Sequence, residues 1–312
     1  MPELPEVHTT VTGLQKVLPR LKILDVWTDY GSPFHDGKDN IKNPRFFKKF
    51  RRNVVGKKIE SVSRRGKNIL IHLESGKTIL VHMKMTGHLM YGNYRKRKTK
   101  SEKRKTKEEW TPAEDGPLKD PYNRFIHFVA ALSNGKCMVL SDTRKFAKVT
   151  LLPTSKLHDS EDLRDLGHEP FSKNFTFDLF KGTLNTRPKG RIKQVLMDQG
   201  LVAGIGNIYS DEILWEAGVH PESRPKNIPD KVFKKMFMAM KLLLTKGIDF
   251  GGDSTSDYRN IFGEPGKFHH IHEAYRRTKE KCRGRGCKGI IQRKIIGGRS
   301  AHFCPKHQKL FT

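Results

Sequence analysis

The sequence has no apolar run approaching the ~18 residues that a membrane-spanning helix needs, and no apolar h-region follows its N-terminus. Neither a membrane protein nor an exported precursor is expected, and the cytoplasm is the expected location. Cysteine is scarce: Cys137, Cys282, Cys287 and Cys304 are the only four in 312 residues. Three of them cluster near the C-terminus, which in a chain without an export signal points to a metal and not to disulfides. Cys137 falls in a strand-like stretch and reads as a buried thiol. Acidic residues are short as well: 33 Asp and Glu face 61 Lys and Arg, a net charge of +28. An excess of this size points to a polyanionic partner, most often nucleic acid. The length is enough for two domains.

The periodicity predicts a helix from Pro5 to about Val17, with Leu4, Val7, Val11, Leu14 and Leu18 on one face. Short strands with polar turns follow. Asn68–Leu73 and Thr78–Met83 form one hairpin signal, and Ile126–Leu132 with Met138–Ser141 a second, so a β-sandwich is expected. Residues 95–109 interrupt the pattern with nine Lys or Arg, three Glu and no apolar residue. They read as a solvated, disordered loop. From about Asn174 the pattern turns helical, with Asn207 placed as the N-cap of a helix running to Ala217 and a longer amphipathic helix over about 229–245.

Three places carry chemistry. Cys282-x4-Cys287 and Cys304-x2-His307, sixteen residues apart, are two close ligand pairs flanking a hairpin-sized stretch, as one structural tetrahedral zinc ion requires. Metal binding would supply most of the folding energy of so small a module. The Gly-rich turn Gly200–Gly206 before Asn207 exposes backbone N–H groups at a helix N-terminus, a natural phosphate seat. The chain opens Met1-Pro2-Glu3-Leu4-Pro5-Glu6. Once Met1 is removed, Pro2 is a secondary amine titrating near ~8, able to attack a sugar aldehyde carbon and give an iminium, with Glu3 beside it as an acid or base. Pro and Glu here also suit a plain helix start.

Met1–Val7, Leu196-Met197-Asp198-Gln199 with Gly204–Tyr209, and Gly297-Gly298-Arg299 leading to Cys304-Pro305 occur in that order. Together they resemble the bacterial formamidopyrimidine-DNA glycosylase family over nearly the whole chain, apart from a basic insertion at about 93–115. The resemblance implies an α+β multidomain protein with a β-sandwich flanked by helices (1–155), a linker (156–172), a helix–two-turn–helix domain (173–270) and a zinc-ribbon finger (271–312). It implies Pro2 as the nucleophile at sugar C1′, Glu3 as its acid/base partner and Lys67 as the hairpin lysine of the active site. Asn207 and Arg299 would clamp phosphate around the flipped nucleotide, and Tyr275 would add a phosphate contact. Met85, Arg144 and Phe146, with Lys145 between the last two, would fill the gap left by the flipped base. Extruding a base costs a few kcal/mol, which an apolar wedge and an aromatic ring offset, while an arginine fork can bond the orphaned partner base. Residues of about 250–267 resemble a lesion-covering loop. The first cysteine pair is wider than the family's usual two-residue spacing, the last ligand is histidine where cysteine is usual, and His8 stands where an acidic residue is common.

The expected activity is that of a monomeric, bifunctional DNA glycosylase/AP lyase acting on double-stranded DNA with oxidised purines or abasic sites. Preference for oxidised pyrimidines is one alternative, and a non-catalytic damaged-DNA-binding protein is another.

Overall fold

The computed structural model describes residues 1–100 and 106–312. They form two compact units: residues 1–2, 6–164 and 251–266 in the first, and 3–5, 165–250 and 267–312 in the second. The short segment 251–266 therefore packs with the first unit, although it follows the helices of the second in sequence.

In the first unit, α1 (Leu4–Val17) buries its predicted stripe, with Val7, Val11, Leu14 and the following Leu18 in the core. The strands are β1 (Ile23–Thr28), β2 (Ile59–Arg65), β3 (Asn68–Leu73), β4 (Lys77–His82), β5 (Gly87–Gly92), β6 (Tyr94–Lys100), β7 (Thr106–Pro112), β8 (Ile126–Leu132), β9 (Cys137–Asp142) and β10 (Lys148–Pro153). Helix α2 (Pro44–Val54) lies between β1 and β2 and starts with Pro44 behind Asn43, whose side chain caps the N–H groups of Arg45 and Phe46. Two antiparallel four-stranded sheets, β1-β8-β9-β5 and β10-β4-β3-β2, share one apolar core drawn from alternate residues such as Ile69, Ile71, Ile79, Val81, Leu89, Phe128 and Leu140. This is the sandwich that the alternation predicts. Cys137 is buried in β9.

The basic insertion departs from expectation. Residues 94–100 and 106–112 pair as an antiparallel ribbon, β6 with β7, from Tyr94↔Pro112 to Lys100↔Thr106; the rest of the segment expected to be disordered, 101–105, lies outside the described residues. A lone two-stranded ribbon is marginal in water, and this one is fastened at its base. Trp110 packs against Trp27 of β1 with ring centroids 6.3 Å apart, a contact worth ~0.5–1.5 kcal/mol beyond its buried area. The Glu108 carboxylate accepts from Trp27 Nε1 at 3.0 Å and pairs with Lys96 at 2.8 Å.

The second unit contains α3 (Phe177–Asn185), α4 (Ile192–Met197), α5 (Asn207–Glu216), α6 (Asp230–Asp249) and the two-stranded sheet of β11 (Gln292–Ile296) and β12 (Arg299–Phe303). Of the α6 methionines, Met236 and Met240 are core and Met238 is exposed. Gln199, just beyond α4, staples the following turn, donating to the carbonyls of Met197 and Ile205 and accepting from Gly204 N–H. Helix α5 has eight of its ten residues buried, Ser210, Asp211 and Glu212 among them. A helix buried on every side cannot show an amphipathic stripe. Among the described residues no helix is long and apolar enough to cross a membrane.

Candidate active site and nucleic-acid interface

In the second unit the predicted residues gather on α5. Asn207 is the first helical residue and Gly206 the N-cap, which corrects the placement of Asn207 as cap. Gly206 has no side chain to cap with, and the cap comes from two hundred residues upstream. The Glu3 carboxylate, 2 % exposed, accepts from Gly206 N–H at 2.7 Å, Ile208 N–H at 2.8 Å and Tyr209 N–H at 3.3 Å. An acceptor carrying negative charge belongs at a helix N-terminus, where orphan donors and the helix dipole both favour it. A Cβ on Gly206 would lie 2.5 Å from the Glu3 carboxyl group, so only glycine admits this approach. Leu4 N–H then donates to the Gly204 carbonyl at 3.0 Å.

Tyr275 is held beside the same helix end. Its N–H, with those of Glu273 and Ala274, donates to the buried Glu212 carboxylate at 2.7–3.0 Å. Burial pushes the Tyr275 phenol up; Arg276 opposes this, Glu3 adds to it, and the Asn207 side chain hydrogen-bonds the phenol. Glu3, Asn207 and Tyr275 thus form one cluster. Asn207 Oδ1 within it is buried with no protein partner. The Tyr275 ring meets His302 of β12 edge-on, with centroids 5.2 Å apart. His302 is fixed in turn by Asp211, which accepts from its N–H at 2.9 Å and contacts its Nδ1 at 3.0 Å. Asp211 also pairs with fully buried Lys193 of α4.

Arg299, three residues before His302, is exposed at the tip of the β11–β12 hairpin. The two tip residues, Gly297 and Gly298, have φ of 57° and 73°, the positive pair that a two-residue turn of the right twist requires. A Cβ on Gly297 would meet Gln194 of α4 at 2.0 Å, so the tip rests on that helix.

Behind the hairpin, Cys282, Cys287 and Cys304 bring their sulfurs within 4.8 Å of one another. The Gly289 N–H holds the Cys287 thiol below its usual range, and burial pushes Cys304 up to about 11. A Cβ at Gly289 would sit 2.4 Å from Cys304 Sγ, so the glycine clears the space around the sulfurs. Three converging thiols are a donor set for a soft or borderline metal ion. His307 is not among the converging groups. Its Nε2 engages the Trp215 carbonyl at 3.0 Å and its ring packs tilted against the Trp215 indole, while Nδ1 faces Gly284 in the Cys282–Cys287 knuckle.

In the first unit Pro2 is buried, and Lys67, 5 % exposed, occupies the two-residue turn between β2 and β3 behind Gly66. Burial together with Lys84 and Lys67 lowers His82 to about 3, so the ring is neutral, and its Nδ1 accepts from Lys84 N–H at 2.9 Å. Lys67 therefore lies beside the turn that carries half-buried Met85. That turn and the 143–147 loop are tied by Asp142, a residue the sequence reading passed over. Its carboxylate accepts from Thr86 Oγ1, from Ala147 N–H at 2.7 Å and from Tyr30 Oη at 2.9 Å, while Thr86 Oγ1 accepts from Arg144 N–H at 3.1 Å. Met85, Arg144 and Phe146 are thereby brought to one end of the sandwich. Lys145, with φ of 56°, turns the chain so that the Arg144 guanidinium lies 4.5 Å over the Phe146 ring, which is 48 % exposed. Lys145 itself leans toward Asp29, 3.5 Å away. Lys84 has φ of 55°, so each loop contains a left-handed lysine next to a residue expected to fill the gap of a flipped base, the kind of backbone cost that clusters at functional sites.

Glu212 and Asp142 share no local signature that would have found them. Their donors are supplied by folding: backbone N–H groups for Glu212, and the Thr86 and Tyr30 hydroxyls with the Ala147 N–H for Asp142.

Two family models match the chain: the formamidopyrimidine-DNA glycosylase N-terminal domain over residues 1–149 and the H2TH domain of the same enzymes over 166–259. Formamidopyrimidine-DNA glycosylase of Pelotomaculum thermopropionicum is 34% identical over 310 residues, 99% of this chain and 100% of the relative. Among solved structures, a complex between a variant of the Lactococcus lactis enzyme and a Fapy-dG containing DNA superposes with a TM-score of 0.80 at 27% identity, covering 99% of this chain and 100% of that one. The wild-type Lactococcus lactis enzyme with an oxidised-pyrimidine containing DNA gives 0.79 at the same identity and coverage. With both family models and full-length relatives in agreement, the chain belongs to the formamidopyrimidine-DNA glycosylase family.

Proposed function

We propose that this protein is a bifunctional DNA glycosylase/AP lyase of base-excision repair that removes oxidised purines, 8-oxoguanine and formamidopyrimidines, from double-stranded DNA. The observation that carries the reading is the Glu3 carboxylate bound across the N-terminus of α5, one residue after Pro2 and in one cluster with Asn207 and Tyr275. With Met1 removed, the Pro2 nitrogen lone pair forms a bond to C1′ of the lesion nucleotide. The glycosidic bond breaks, its electron pair leaves with the base, and the base takes up a proton. Opening of the sugar ring yields the iminium, which acidifies C2′–H. Loss of that proton expels the 3′-phosphate, and a second elimination expels the 5′-phosphate. Glu3, held by three N–H donors, can pass protons at the sugar without reorganising. Asn207 and Tyr275, with Arg299 and Lys67, are the groups assigned to the flanking phosphates and the sugar. Met85, Arg144 and Phe146, supported by the cationic Lys145 loop, occupy the vacated stack. The enzyme acts as a monomer, in the cytoplasm where the DNA is.

We assign one structural Zn²⁺ to Cys282, Cys287, Cys304 and His307. The Trp215 carbonyl accepts the Nε2 proton and so leaves Nδ1 as the free lone pair, the outer-sphere arrangement that metal-bound histidines share. The ion would hold the hairpin that presents Arg299 and supply no step of the reaction.

Borohydride reduction of the iminium is the test. Protein starting at Pro2 should form a covalent adduct with duplexes carrying 8-oxoguanine or an abasic site, and protein retaining Met1 should form none. No adduct on either duplex from the processed protein defeats the mechanism. Stronger trapping on an oxidised-pyrimidine duplex than on 8-oxoguanine would reassign the lesion class.

A further inference from the structure

Residues 251–266 are strapped to four separate parts of the first unit. Asp253 N–H donates to Glu6 Oε1 at 2.8 Å and the Tyr258 hydroxyl to the Glu6 carbonyl at 3.0 Å, which fixes the start of the segment on α1. Thr143 Oγ1 bonds Asp257 at 3.1 Å, which joins it to the Arg144–Phe146 loop. Tyr91 N–H donates to the Ile261 carbonyl at 2.7 Å, so the end of the segment runs along β5. The fourth strap is peculiar to residues 117–123, which follow the basic ribbon. Gly263 packs so closely on Pro117 and Leu118 that a Cβ would approach their backbone to 2.7 Å, and its carbonyl accepts from Asn123 Nδ2 at 3.2 Å. Asn123 is oriented by buried His88 at 2.8 Å.

Arg259 lies at the centre of this strap, 6 % exposed. Its Nε donates to Asp120 at 3.1 Å and its guanidinium lies 4.6 Å over the Tyr122 ring. From the same group, Nη1 donates back to the carbonyls of Ser256 and Tyr258 at 3.0 and 2.8 Å. One planar fork thus ties the 254–258 turn to the 120–122 segment, a geometry that lysine cannot reproduce. The turn it holds is the one that touches Thr143, next to Arg144.

We propose that Arg259, through Asp120 and Tyr122, is a positioning residue for base excision that sets the 254–258 turn as a wall beside the wedge residues, where an extruded base must be received. This rests on the glycosylase reading above. The turn meets the base and not the sugar, so its placement governs excision and leaves strand cutting at a site that has no base. The other straps, on Glu6 and Ile261, do not pass through Arg259, and α1 keeps its place without it.

The test compares single-turnover excision from an 8-oxoguanine duplex with nicking of an abasic duplex. Arg259→Lys keeps the charge facing Asp120 and loses the fork. Excision should fall about 10- to 100-fold, since a misplacement of about 1 Å can cost 10²-fold, while nicking stays within about twofold. Tyr122→Leu removes the stacked ring from an exposed position without stranding a charge, and should shift the same ratio in the same direction by less. Unchanged excision in both variants overturns the proposal, as does a parallel fall of excision and nicking. Absence of nicking by the unaltered processed protein overturns the glycosylase reading and this proposal together.

Discussion

Two carboxylates on α5 do the same thing in opposite senses. Glu3 and Glu212 are both buried, and each accepts three backbone N–H bonds. Glu3 is brought to the helix from the chain's beginning and binds the helix's own orphan donors. Glu212 projects from the helix and gathers donors from an irregular segment, Glu273 to Tyr275. The helix dipole supports the first arrangement. The second has burial against it, which pushes the Glu212 carboxyl up, with His272 and the three N–H groups opposing. On the proposed mechanism the difference separates two jobs: Glu3 would place a group that reacts, and Glu212 the backbone of one that binds. Asp211, between them in function, joins α5 to Lys193 and to β12 through His302.

Glu3→Gln should break the comparison most visibly. Nearly all the shape is kept, but one acceptor oxygen becomes a donor facing N–H groups, and the acid/base is lost. Excision should fall by about 10²–10⁴-fold, the usual contribution of a general acid–base, in single-turnover assays. A loss of only a few fold would make Glu3 an anchor alone and erase the distinction. Asp211→Asn comes next and bears on stability. It leaves the Lys193 ammonium buried without its counter-charge, and denaturant unfolding should show a loss of about 3–5 kcal/mol. Glu212→Gln should cost about 1–3 kcal/mol, because its amide turns a donor toward three donors. DNA affinity should weaken as Tyr275 loosens, with abasic nicking at saturating DNA largely kept.

The smallest effect is a pH dependence. Glu212 is raised above its ordinary 4.5 in the folded protein, so the fold binds its proton more tightly than the unfolded chain does. Its contribution is fully present below about 4.5 and is lost as pH rises through the folded value. Glutamine does not titrate. The stability gap between the native protein and Glu212→Gln should therefore narrow as pH rises above 4.5, measured by unfolding at a series of pH values. A gap that widens would mean that the three N–H donors outweigh burial at Glu212.

What could be read from the sequence was local. The stripe of α1, the two hairpins of the sandwich, the long helix and the cysteine spacing are periodic or punctuated patterns, and each forms where its residues predict. What could not be read depends on distant partners. The basic insertion has no apolar alternation over 95–109, so it reads as a coil. The Trp27–Trp110 contact and the Glu108 bonds that make it a ribbon join residues some eighty positions apart. Asn207 has the chemistry of a cap, yet the cap is Glu3. In the ligand set, the spacing identified three thiols that converge, whereas the His307 ring is set by its packing and hydrogen bond on Trp215, which no spacing rule contains.

Helix α5 also sets where the protein can change. Along ten residues it takes Glu3 at its first turn, holds Lys193 and His302 through Asp211 and the Tyr275 segment through Glu212, and sends Trp215 Nε1 to Cys282 Sγ at 3.4 Å. The lengths of chain between these anchors are then free to vary, as long as each anchor still reaches its place. An engineer seeking another lesion preference would leave this helix alone and edit the connections, treating α5 as the fixed hub on which new loops are mounted.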